Sequence, residues 1–133
     1  MSSGRPRRLL AGFVLAYFAI RFGQVAIGAV LPAIIETFDT DAGTVGLALS
    51  GMWVAYALVQ LPSGALGDRH GERPVILAAV GLATVAVVAI AVAPTLPLLV
   101  VAVVLLGVGS GLYYNAATAL LARSVEGIGR AIG

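Results

Sequence analysis

The sequence predicts an all-α fold, a polytopic membrane bundle of four transmembrane helices, on three observations. Sixty per cent of the 133 residues belong to the set AVILMFWYC and only 11% are charged, whereas soluble domains carry about a quarter charged residues. The mean hydropathy is +1.05. The apolar residues gather into four runs, each near the roughly 20 residues that cross a bilayer at 1.5 Å per residue.

The first run covers 9–35. Arg5, Arg7 and Arg8 before it resemble the basic start of a signal peptide, but the apolar stretch is too long for one and Arg21 interrupts it. It is expected to be a retained helix. The second run covers 44–66, the third 75–93 and the fourth 98–122, and a further helix is expected to begin near 129–133. The polar breaks at 36–41, 67–73 and 94–97 are short, so neighbouring helices must run antiparallel. Pro74 and Pro97 stand where a helix would start and a missing N–H costs nothing. Residues 1–133 are expected to form a single membrane domain, since no linker, charge run or low-complexity tract divides them.

Composition removes several function classes. The chain has no cysteine, which excludes disulfide frameworks, thiolate metal sites and thiol nucleophiles. Eight arginines against six acids give +2 at pH 7. That charge, spread along a hydrophobic chain, is no patch for nucleic acid despite a pI near 9.5. No nucleophile–base pair or ligand cluster accompanies the single His70, so no enzyme, cofactor or metal is expected.

Orientation follows from the arginines. Arg5, Arg7 and Arg8 precede the first run, Arg69 and Arg73 separate the second from the third, and Arg123 and Arg130 follow the fourth. The opposite side carries Glu36, Asp39 and Asp41 and no arginine. The positive-inside rule then places both chain ends in the cytoplasm of a plasma-membrane protein.

Polar side chains mark the helices that must face protein or a wet cavity. The third run has only Thr84 and can face lipid. Tyr17, Arg21, Gln24 and Gly28 form one stripe on the first; Trp53, Tyr56 and Gln60 form another on the second; Ser110, Tyr113, Tyr114, Asn115 and Thr118 cluster on the fourth. Arg21 lies near mid-span, where arginine costs about 2.5–3.5 kcal/mol. It is either a cation in a solute pathway, favouring anionic or amphipathic solutes, or a buried charge paired elsewhere in the bundle. No carboxylate lies near the middle of any run. Trp53 and Tyr56 are expected as packing or interface anchors. Tyr114 and Asn115 are candidates for the pathway, against hydrogen bonding to a neighbouring helix. Gly107 and Gly111 form a GxxxG, which permits close helix approach.

The segment 64–73 carries Gly64, Leu66, Asp68, Arg69, Gly71 and Arg73. These six positions resemble the G-x-L-x-D-R-x-G-x-R/K signature, motif A, of the major facilitator superfamily, in the interhelical loop where that family places it. Gly71 permits a turn with positive φ. Asp68 needs a donor, which Arg69, Arg73 or loop amides can supply. Glu72 departs from the family pattern, in which a basic residue is common. The stretches Arg21-Phe22-Gly23 and Leu31-Pro32-Ala33-Ile34 look like the drug-antiporter branch. The arginine that many members place before the glycine run is absent, with Val103 and Leu105 in its place, so its proton-coupling role is not carried over.

The resemblance implies the first four helices of a secondary transporter that moves a small solute by alternating access. The site would use Arg21, Gln24, Tyr114 and Asn115. Asp68 would latch the two halves of the transporter. Helices 1 and 4 would line the cavity and helix 3 would lie outside. The implied partners are the lipid bilayer, a small-molecule solute and the remaining helices of the same transporter. Two rivals are a four-helix exporter acting as a homodimer, for which Glu36 stands at a helix end rather than in mid-membrane, and a non-transporting remnant or subunit. The residues name neither the solute nor a coupling ion.

Overall fold

A computed structural model describes residues 4–132 of the chain. Gly133 and the side chain of Arg5, both used above, lie outside the described residues and side chains. Five helices follow one another: α1 (Gly4–Ala29), α2 (Leu31–Thr37), α3 (Ala42–His70), α4 (Glu72–Val92) and α5 (Leu96–Ile132). Among the described residues there is no strand, and four helices are long and apolar enough to cross a membrane.

The first expected span is divided in two. Pro32 has no N–H to give to the Gly28 carbonyl, and its ring crowds that carbonyl. The helix interrupts at Val30 and resumes as α2. The chain then turns through Asp39, whose φ is +47°, and α3 begins at a side-chain cap. Asp41 Oδ1 accepts from the Thr44 N–H at 2.8 Å, and its Oδ2 accepts from the Thr44 hydroxyl at 2.9 Å. The Thr44 backbone bond holds the Asp41 carboxyl below its ordinary value of 3.8. A depressed carboxyl stabilises the fold above the unfolded value and stops doing so as pH falls through the folded one. Asp41→Ala should therefore lower the melting temperature in detergent at neutral pH, and the gap to the parent should close below about pH 4. An equal gap at pH 7 and at low pH would show that the cap does not act through its charge.

Between α3 and α4 stands the single residue Gly71. Its φ of +84° is open to glycine and strained for other residues, and its N–H closes α3 on the Gly67 carbonyl at 2.8 Å. The segment expected as a loop at 67–73 is thus mostly helix. α5 likewise continues through Gly127 and Gly129, where a new helix was expected. At 37 residues it is about 55 Å long, and the described side chains of its outer part, from Ala122 on, are exposed.

α5 is the centre of the bundle. Half of its most apolar stretch is buried, against 11% for the first and second spans. Glycine makes this possible on two faces. A β-carbon on Gly107 would collide with the Met52 carbonyl, and one on Gly111 would lie 2.6 Å from the Tyr56 carbonyl, both on α3. One on Gly109 would lie 2.9 Å from the Ala83 nitrogen of α4. The apolar core joins Ile34, Val45 and Leu99 at the acidic end with Met52, Ala83 and Leu106 deeper in the bundle. α1 packs more loosely. Near the arginine-rich end, the Tyr113 hydroxyl ties it to α5 by donating to the Phe13 carbonyl at 2.8 Å.

The outward faces are apolar, with Leu15, Phe22, Leu61 and Leu77 largely exposed, as helices solvated by lipid require. Polar side chains on these faces turn back on their own helices. The Ser50 hydroxyl donates to the Gly46 carbonyl at 2.9 Å and that of Thr84 to Val80 at 2.8 Å. This leaves no free donor on Thr84 and lets α4 face hydrocarbon.

Candidate functional site

Arg21 lies where α1, α3 and α5 meet. Its guanidinium carbon sits 5.4 Å from the Tyr17 ring, 5.4 Å from that of Tyr56 and 5.9 Å from that of Trp53. Its Nη2 donates to the Tyr56 hydroxyl at 3.3 Å and its Nη1 to Gln24 Oε1 at 3.2 Å. Each cation–π contact is worth about 0.5–2 kcal/mol, so three together match the order of the ~2.5–3.5 kcal/mol insertion cost. The cation is held by an aromatic cradle and not by a carboxylate: the salt bridges among the described residues are made by Arg123. The cradle draws on the stripes of both the first and second spans. Trp53 and Tyr56, expected as packing or interface anchors, supply two of its three rings.

Gln24 lies one turn beyond Arg21 and is only 4% exposed. Its Oε1 faces the guanidinium, and its Nε2 is buried without a partner. Tyr114 continues the aromatic wall, its ring 6.4 Å from that of Tyr56, and stays partly exposed. A void of about 10 Å³ separates Arg21 and Gln24 from Ser110, Tyr113 and Tyr114. Asn115 is turned differently: its Nδ2 donates to the Gln60 backbone carbonyl at 2.6 Å and joins α5 to α3. The Ser63 hydroxyl makes a similar link to the Leu112 carbonyl at 3.3 Å.

The six signature residues lie at the arginine-rich end of the bundle. Gly64, Leu66, Asp68 and Arg69 are on α3, Gly71 makes the turn, and Arg73 opens α4. Arg69 in the last turn of α3 complements the negative end of the helix dipole. Arg73 borders a groove floored by Leu9, Phe13 and Leu121. Asp68 finds its cation on neither Arg69 nor Arg73. Arg123 of α5 reaches Glu72 at 2.9 Å and Asp68 at 3.7 Å. Glu72, the departure from the family pattern, is the more enclosed acid, with its side chain 11% exposed against 78% for Asp68.

Leaving a nearly enclosed carboxylate unpaired is expensive. Arg123→Ala should therefore destabilise the bundle by about 1–3 kcal/mol, and Arg123→Glu by more. Adding Glu72→Arg to Arg123→Glu should restore most of the loss, measured as thermal stability in detergent. A double variant no better than Arg123→Glu alone would deny the pair any energetic part.

Four helices long and apolar enough to span a membrane, three of them meeting at the Arg21 cradle, define a polytopic helical membrane protein. The chain belongs to the Major Facilitator Superfamily, whose family model matches residues 13–133. It is 30% identical to an MFS-type transporter of Mycobacterium tuberculosis over 80% of this chain and 18% of that protein. It is 28% identical to the MFS-type transporter YvkA of Bacillus subtilis over 84% of this chain and 25% of that protein. A probable anion transporter of Arabidopsis thaliana chloroplasts is 30% identical over 89% of this chain and 23% of its own length. The chain thus spans a quarter or less of the length of these relatives. No solved structure matches it significantly. These three relatives bear the names of transporters.

Proposed function

We propose that the chain supplies the first four membrane helices of a secondary active transporter that moves a small solute by alternating access. In this proposal the Arg21 pocket, with Gln24, Tyr114 and the neighbouring Asn115, lies on the solute pathway. One observation carries it: a cation expected at mid-span sits beside a buried amide donor that nothing among the described residues satisfies. A purely structural arginine needs the aromatic cradle but gives no reason for the unpaired Gln24. The contacts of Asn115 with α3 suit a role in fixing the pocket wall against α5. The end that gathers Arg7, Arg8, Arg69, Arg73, Arg123 and Arg130 would face the cytoplasm of a plasma membrane. The Asp68–Arg123–Glu72 cluster there would hold one conformation of the two-half transporter. The stretches around Arg21 and Pro32 support a drug-antiporter-like branch.

Alternating access has a direct test, because the chain contains no cysteine. Tyr114→Cys places a single thiol on the exposed edge of the pocket. In vesicles carrying the whole transporter in one orientation, with any cysteine outside residues 1–133 replaced, an impermeant thiol reagent should label it when added outside and also when trapped inside. Labelling from one side only, or from neither, would contradict a site that opens alternately to both.

A further inference from the structure

We propose that the Arg21 pocket is an anion site in which the Gln24 amide is the selective donor, and that its ligand is an organic anion with a flat apolar body. This rests on the solute-pathway reading and names the class of solute.

Gln24 carries the argument. Its amide orientation is fixed by chemistry, since turning it over would set its NH2 against the Nη1 donor of Arg21. What remains unmade is therefore the bond of a buried donor, and only an acceptor can complete it. The adjoining void of about 10 Å³ admits one water-sized group, which is also the size of one carboxylate oxygen. The walls match such an oxygen. The Arg21 guanidinium has N–H groups beyond those given to Gln24 and Tyr56. The Ser110 and Tyr113 hydroxyls already donate to the Leu106 and Phe13 carbonyls. No carboxylate lines the void. An ammonium group here would meet only the charge of Arg21 at short range in a low-dielectric setting.

The void holds one atom of the ligand, so the rest must lie outside it. Trp53 and Tyr114 provide the surface, at 45% and 40% exposure. They are connected through Tyr56 by ring separations of 5.7 and 6.4 Å. A flat apolar body stacked on these rings buries area and keeps its acid group on Arg21 and Gln24.

Trp53 is the only tryptophan in the chain and lies in the cradle, so its emission reports on the pocket. The test uses the purified chain in nanodiscs of zwitterionic lipid, titrated separately with benzoate, benzamide and benzylammonium. Benzoate should change the emission saturably, benzamide should bind about tenfold more weakly, and benzylammonium should give no response. Gln24→Glu, nearly identical in size, places a carboxylate on Arg21 and should abolish the benzoate response. Gln24→Met fills similar space without a donor and should weaken it about tenfold. No benzoate response, an equal response to benzylammonium, or an undiminished response in Gln24→Glu overturns the proposal; the ligand series on the parent chain needs no variant to fold. Uptake of anionic, neutral and cationic solutes by vesicles carrying the whole transporter, of which this chain supplies the first four helices, separates the two readings. Cation uptake without benzoate binding overturns the anion assignment alone, whereas benzoate binding without uptake of any solute supports the anion site and overturns transport.

Discussion

Gly107→Val should drive α5 off α3 and cost the chain its folded, monodisperse state in detergent. A β-carbon at 107 falls on the backbone carbonyl of Met52, and Met52 is fully buried. A flexible side chain could yield by changing rotamer, but a backbone carbonyl can yield only if the helix moves with it. One turn further along, a β-carbon on Gly111 would lie 2.6 Å from the Tyr56 carbonyl and crowd the Val59 side chain, so the seam is tight over its length. Lipid gives little hydrophobic drive for one helix to meet another, and close packing does most of the holding. Overpacking a core costs about 1–3 kcal/mol and occasionally more; lost dispersion along a separated seam adds to it. Gly81→Ala and Gly28→Ala are the controls, because open space surrounds both positions. Melting monitored by size-exclusion chromatography after heating should show a large drop for Gly107→Val and little change for the controls. Equal melting of Gly107→Val and Gly81→Ala would remove the close α3–α5 contact from the account.

The glycine seam was half legible in the sequence. A GxxxG at 107–111 indicates close approach, but 17 glycines in 133 residues make any one such pattern weak, and nothing in it names the partner helix. That Gly109, between those two, serves α4 is a fact of three-dimensional position. The four spans were readable because a run of apolar residues is a local property. Their ends were less so. Asp68, Arg69 and His70 look like loop residues, yet α3 carries them as helix because charged side chains at a membrane boundary can be solvated without breaking backbone bonds. The same holds for 122–132 at the end of α5.

The site divides along the same line. Arg21 and Gln24 stand out as polar residues in a hydrophobic run, and their spacing of three puts them on one face. Their companions Trp53 and Tyr56 lie 32 and 35 positions beyond Arg21, on a stripe whose direction depends on how α3 is rotated against α1. Arg123 was visible only as a topology marker. Its pairing with Glu72 and Asp68 depends on α5 returning antiparallel to the start of α4. Glu72 illustrates the general point, since a departure from a family pattern becomes intelligible once the opposing arginine is located.

The second large effect concerns Arg21 and bears on the central claim, that its pocket lies on the solute pathway. Arg21→Ala removes the cation, the clamp on Gln24 Oε1 and the bond to Tyr56 together. Arg21→Lys keeps a charge but loses the planar fork that stacks on rings and reaches two acceptors. Charge-assisted bonds are worth about 1.5–3 kcal/mol, equivalent to about 10- to 100-fold in binding. The measurement is solute uptake by vesicles carrying equal amounts of the whole transporter, parent or variant at residue 21, with the folded state of each confirmed by its melting. Arg21→Ala should reduce uptake about 10- to 100-fold, with Arg21→Lys between it and the parent. Uptake by a folded Arg21→Ala protein equal to that of the parent would place the pathway elsewhere and leave the cradle a structural device for one buried charge.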